Sequence, residues 1–235
     1  MPKDNICSSV SIITFYEPWW QSGIRITYTP SDKFTGALYI VNGYNQFVAT
    51  NKKKAPGLAF TYNISDRFSV GYYGLLSDDT PDSISISHRR LLNNLVVNLD
   101  ISKKMKAQVG ADYIVQEHSD ISYSPGYTIY SNAFSSSLIA TLRYQCFKRI
   151  AIYGRFEELN DPQGIITSTD NYYYNNVSFN LTGETFGIEY KPTENSYIRL
   201  EGRELQMAQN EKIFYSNGVY TNIREEAMLN MGISF

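Results

Sequence analysis

Arg199, Glu201 and Arg203 stand at alternate positions near the C-terminal end of the chain, and alternate positions on a β-strand share one face. Arg155 and Glu157 repeat the spacing, and Glu189 falls beside them on the next predicted strand. Two chemistries suit such a cluster. Rings of charge set ion selectivity in pores. The same charges can instead pair into a ladder that fills a narrow interior. An eight-stranded barrel has room only for side chains and ~16 strands leave an aqueous channel, so a barrel of about twelve leaves both readings open.

Other reactive residue types are sparse. His88 and His118 would need a nucleophile or an activating carboxylate within hydrogen-bond reach to support hydrolysis. His118-Ser119-Asp120 supplies the types, but successive strand residues point to opposite faces, and no nucleophile motif accompanies them; the sequence reads as non-enzymatic. Asn160-Asp161-Pro162-Gln163-Gly164 offers one acidic ligand where a calcium loop needs several at alternating positions, so it reads as a turn. Lys52-Lys53-Lys54 reads as a solvated loop tip, with contact to anionic lipid head groups as the alternative. Cys7 and Cys146 carry no metal or redox spacing and are expected as free thiols. No cofactor and no metal site are expected.

The elements that must position these charges announce themselves by alternation. Ile26-Thr27-Tyr28-Thr29-Pro30-Ser31-Asp32-Lys33-Phe34 is a strand, a polar turn and the start of another strand. Phe60 to Phe68 copies it closely, and Val97 to Met105, Leu142 to Ile150 and Ile188 to Ser196 copy it loosely. Eleven alternating segments centre near residues 25, 38, 60, 71, 96, 109, 140, 153, 187, 200 and 230. A weaker one, Ser9–Tyr16, makes about twelve, the even number that puts both termini on the short-turn side. Tight turns alternate with long polar stretches: Asn42–Pro56, Ser77–Arg90, His118–Asn132, Leu159–Phe179 and Gln206–Arg224. Short turns at one rim and long loops at the other are the layout of an outer-membrane barrel.

Along these strands Ile24/Ile26/Tyr28, Leu58/Phe60/Tyr62, Leu138/Ala140/Leu142/Tyr144 and Phe186/Ile188/Tyr190 form one face. Arg25, Lys106, Asp112, Arg143, Arg155, Glu157, Glu189, Arg199, Glu201 and Arg203 form the other. An Arg or Lys on a lipid face costs ~2–4 kcal/mol at the midplane, so the charged face is expected to line the pore. Replacing Arg199 and Arg203 together is expected to shift ion preference toward cations with folding intact. Tyr28, Tyr62, Tyr144, Tyr190 and the terminal Phe235 recur at equivalent places, as a membrane-interface girdle would. The last strand, with Ala227, Leu229, Met231, Ile233 and Phe235 on one face, has the form that barrel-assembly machinery engages.

Composition agrees. Lys and Arg number 21 against 23 Asp and Glu, net −2, which leaves no basic footprint for nucleic acid. Mean hydropathy is −0.32, and no apolar run approaches the ~20 residues of a transmembrane helix. Aromatics make up 14%, with 20 Tyr, as aromatic girdles require. The 235 residues read as a single barrel domain, 1–235, shortened at its N-terminus, because Met1-Pro2-Lys3-Asp4-Asn5 opens no secretory signal.

Several local motifs, taken together, resemble the OmpL-like beta-barrel porin family. They are Glu17-Pro18-Trp19-Trp20-Gln21-Ser22-Gly23-Ile24, Tyr28-Thr29-Pro30-Ser31-Asp32-Lys33, Val41-Asn42-Gly43-Tyr44-Asn45, Lys54-Ala55-Pro56-Gly57-Leu58, Glu158 to Gly164 and Glu189-Tyr190-Lys191-Pro192-Thr193. The resemblance implies an all-β, antiparallel up-and-down transmembrane barrel in the Gram-negative outer membrane. It also implies passive diffusion of small polar solutes or ions, with membrane lipids as surroundings. The alternative is a closed barrel that works as a structural or surface-interaction protein through long loops such as Tyr172-Tyr173-Tyr174-Asn175-Asn176.

Overall fold

The structure is a computed structural model, described over residues 5–167, 179–208, 211–216 and 218–233. All eleven strongly alternating segments are strands: β1 (Gly23–Ser31), β2 (Phe34–Val41), β3 (Ala55–Ser65), β4 (Phe68–Asp78), β5 (Arg89–Asp100), β6 (Met105–Ser124), β7 (Tyr127–Phe147), β8 (Ile150–Asp161), β9 (Phe179–Tyr190), β10 (Ser196–Met207) and, last, β13 (Ile223–Ile233). They pair antiparallel in the order β1 to β10, then β13, an up-and-down meander. A separate hairpin, β11 (Phe214–Ser216) with β12 (Val219–Thr221), sits in the last long connection.

The faces follow the sequence pattern. The pairs Tyr153↔Gly187 and Gly187↔Glu201 put one parity inside, while Ile152↔Ile188 and Ile188↔Leu200 put the other outside. Outside, Ile24 is 72% and Leu229 63% exposed; inside, Glu157 is 1% and Glu201 2% exposed. An apolar surface this extensive needs a lipid or a partner, and here it alternates strictly with a polar interior. Tyr28, Tyr62, Tyr144 and Tyr190 are exposed on that outer face; Phe235 and Tyr172 to Asn176 lie outside the described residues.

Two expectations need correction. Ser9–Tyr16 is not a strand. It holds one 3-10 turn, Ile13–Phe15, and runs through the interior, because buried carboxylates on the wall capture its backbone N–H groups. Among the described residues the sheet therefore has eleven strands, with β1 and β13 at its two ends pointing the same way. The expected loop His118–Asn132 is instead the extension of β6 and β7 into one tall hairpin that turns at Gly126 (φ 86). Polar residues there hide the continuation, and an irregularity between Gln116 and Asp120, with His118 at φ 53, re-aims the strand.

The outer face carries a few charges of its own. Glu184, Glu204 and Glu225 are direct cross-strand neighbours on β9, β10 and β13, and all are exposed. Like charges set opposite each other destabilise a sheet, and their position toward the long-loop rim keeps them away from the middle of the apolar band.

Two apolar clusters close the long-loop end of the interior. Val41, Tyr44, Ala55, Leu75, Leu92, Ile114, Ala133 and Ile165 form one. Ile12, Ile13, Leu159, Leu181, Leu205 and Met207 form the other. Asp161 ties the inward-folded loop beneath them: its carboxylate accepts the N–H groups of Ile165, Ile166 and Thr167 and the Thr167 hydroxyl. The segment is a turn, as the sequence suggested.

Candidate functional site

The interior divides into a filled wall and an open wall. On the filled wall, β7 to β10 bring together six of the predicted charges as two ion-pair clusters. Glu189 receives Arg143 at 2.6 Å and Arg199 at 2.8 Å. Glu157 receives Arg155 at 3.0 Å and Arg203 at 2.8 Å, and Arg203 also faces Glu226 of β13 at 3.8 Å. Glu201 completes the wall without a guanidinium partner. It accepts the Tyr153 hydroxyl at 2.9 Å and the backbone N–H groups of Ser8 and Ser9 at 2.7 and 2.9 Å.

These positions can be crowded because their cross-strand neighbours are small. Gly187 lies beneath the Tyr153 ring, and a Cβ there would collide with it. Four arginines (143, 155, 199, 203) face four glutamates (157, 189, 201, and 226 of β13), so the buried charges balance, while the more exposed Lys191, 3.7 Å from Glu189, and Arg224, 2.8 Å from Glu226, add cations at the edges. Taking these charges out of water is repaid by their pairing and by the further hydrogen bonds around them, although the Nε atoms of Arg155 and Arg203 are buried without a partner among the described residues.

The remaining predicted residues stand apart. Lys106 pairs with Asp100 at 3.3 Å near the short-turn rim. Asp112 is buried between Asn94 and Ser137 at 2.8 and 2.7 Å. Arg25, on β1, is exposed and forms no ion pair among the described residues. It faces a cleft of about 530 Å³ that spans β1 to β5, with Glu17, Tyr39, Ala59, Tyr73 and Asn94.

Sequence reasoning missed Glu17 and Tyr39. Glu17 belongs to no strand and carries no periodic signal; Tyr39 is one of 20 tyrosines and is distinguished only by its inward parity. Burial pushes the Glu17 carboxyl up to about 7, with the nearby Asp112 charge adding to it.

The two histidines sit at the long-loop rim. His88 Nδ1 lies 3.1 Å from Ser119 Oγ, but that hydroxyl donates to the Glu117 carbonyl and receives Gln116, so the group braces the bulge of β6. Cys7 is buried inside and Cys146 is half-exposed on β7; both are free thiols.

The whole chain, residues 1–235, matches the family model described as "Putative beta-barrel porin-2, OmpL-like". The protein belongs to this family of porin-like outer-membrane barrels. Among solved structures, a NanC porin in a rhombohedral crystal form is similar at 12% identity, covering 92% of this chain and 97% of that one, with a TM-score of 0.46. No curated protein matches the sequence.

Proposed function

We propose that this OmpL-like porin is a passive channel for small polar solutes or ions across the bacterial outer membrane, and that the path follows the β1–β5 wall. The observation that carries this reading is the 530 Å³ cleft: it occupies the part of the interior that the ion-pair wall leaves free. Its lining is short or neutral, with Ala59, Gly23 and Val96 beside the polar tips of Tyr39 and Asn94. Polar groups of that kind replace part of a solute's hydration shell without holding it. Arg25 and Glu17 are the charges a passing ion meets. The charge-balanced wall of β7 to β10 contributes shape.

Membrane lipids surround the apolar face in this account, and the last strand engages the assembly machinery. Refolding into detergent and recording single-channel currents in a planar bilayer tests the proposal; stepwise conductance is expected. A specific observation favours a second reading, a closed barrel acting through its loops: both apolar clusters and the N-terminal segment fill the interior toward the long-loop end. A folded, heat-modifiable but silent barrel would select it.

A further inference from the structure

The N-terminal segment is held by its main chain. The N–H groups of Ser8 and Ser9 donate to Glu201, and that of Ile12 donates to Glu157 at 2.6 Å. In the opposite sense, Arg155 donates to the Ser9 carbonyl at 2.8 Å. Among the side chains from Ser8 to Ile12, the wall touches one by hydrogen bond, the Ser9 hydroxyl, again through Arg155. Carboxylates that accept N–H and a guanidinium that donates to C=O recognise the peptide main chain itself, here bent at Ser8 and Ser9 so that both N–H groups reach one carboxylate.

Glu201 shows that the wall is built for this. It is 2% exposed and has no cation partner among the described residues, so apart from Tyr153 its acceptor needs are met by the segment. A buried carboxylate stripped of such donors is costly, so the wall without a peptide is incomplete. The segment itself belongs to no sheet and forms one 3-10 turn, so removing it breaks no strand ladder.

We propose that the inner wall of β8 and β10 is a receptor for a bent peptide main chain, that Ser8–Ile12 is its resident ligand, and that releasing this ligand widens the channel. The last clause rests on the channel reading; the receptor does not.

Ile12→Pro deletes one anchoring N–H at φ −56, which the proline ring adopts, and also trims a side chain of the second apolar cluster, so Glu201→Gln is paired with it. Glu201→Gln weakens the other anchor from the wall side. Both are made in a Cys146→Ser background, with folding checked by heat-modifiability, and Cys7, 8% exposed inside, is the reporter. Alkylation of Cys7 by a water-soluble maleimide should be roughly tenfold faster or more in either variant, the scale of one lost charge-assisted hydrogen bond. A fluorescent peptide with the sequence of residues 5–18, carrying Cys7→Ser, should bind the Ile12→Pro variant and not the parent. Unchanged Cys7 labelling in both folded variants would overturn the receptor. Faster labelling and peptide binding without a rise in conductance would keep the receptor and remove the channel reading.

Discussion

The β1–β5 wall and the β7–β10 wall are built from the same strand pattern and do opposite things. The second wall carries most of the charge, yet its arginines and glutamates are long, paired and buried, so they occupy the space they line. The first presents Arg25 and Glu17 among uncharged residues such as Gly23, Tyr39, Ala59, Asn94 and Val96, and there the cleft remains. A run of charges on the inner parity of a barrel therefore marks where the lumen is filled as readily as where it conducts. What distinguishes the cases is whether each charge finds a partner within reach.

The largest effect expected of this difference is on stability. Glu189→Ala leaves the buried Arg199 and the half-buried Arg143 without their shared carboxylate and should destabilise the barrel by about 3–5 kcal/mol. Arg25→Ala, exposed and unpaired, should stay within about 0.5 kcal/mol. Comparing the temperatures at which heat-modifiability is lost checks both. By the same logic, replacing Arg199 and Arg203 together should now cost folding stability before it alters selectivity, because each answers a buried glutamate.

Next comes selectivity. Arg25→Glu should move reversal potentials toward cation preference by several-fold in permeability ratio, since rings and patches of lumen charge set that preference. An unchanged ratio in a conducting barrel would take Arg25 out of the path.

A smaller effect is expected with pH. The Glu17 carboxyl is raised to about 7 by burial, so its proton is held more tightly in the folded barrel than in the unfolded chain. Its contribution to stability is therefore present below the ordinary carboxylate range and lost as pH rises through 7. Over the same window the cleft gains a negative charge beside Arg25 and Asp112, and cation preference should increase between pH 6 and 8. Glu17→Gln should flatten that profile. The smallest effect concerns the outside: Glu204→Gln relieves repulsion from Glu184 and Glu225 and should raise stability by a few tenths of a kcal/mol.

Much of this architecture was legible in the residues. Alternation of period two marked all eleven sheet strands and put the quoted inner and outer residues that are described on the faces they occupy, because a one-residue slip would invert every side chain. The tall β6–β7 hairpin was not legible. Glu117-His118-Ser119-Asp120 interrupts the alternation at the irregularity, and Ile121 and Tyr123 beyond it read as a loop although pairing from Asp120↔Ser131 to Ser124↔Tyr127 continues. Ser9–Tyr16 misled for a different reason: Val10, Ile12 and Tyr16 alternate as a strand would. The deciding interactions are with Glu157 and Glu201, well over a hundred residues away. The charged residues were found, but their pairing was not, since whether Arg199 meets Glu189 depends on register between strands.

The claim that the path follows β1–β5 is tested most directly by cysteine modification during single-channel recording, in a background with Cys7→Ser and Cys146→Ser. Ala59→Cys lies in the cleft and Thr185→Cys lies against Arg155 on the filled wall. Modification with a bulky methanethiosulfonate should reduce the current stepwise at position 59 and leave it unchanged at position 185. Block at 185 with no effect at 59 would place the path along the ion-pair wall and contradict the account.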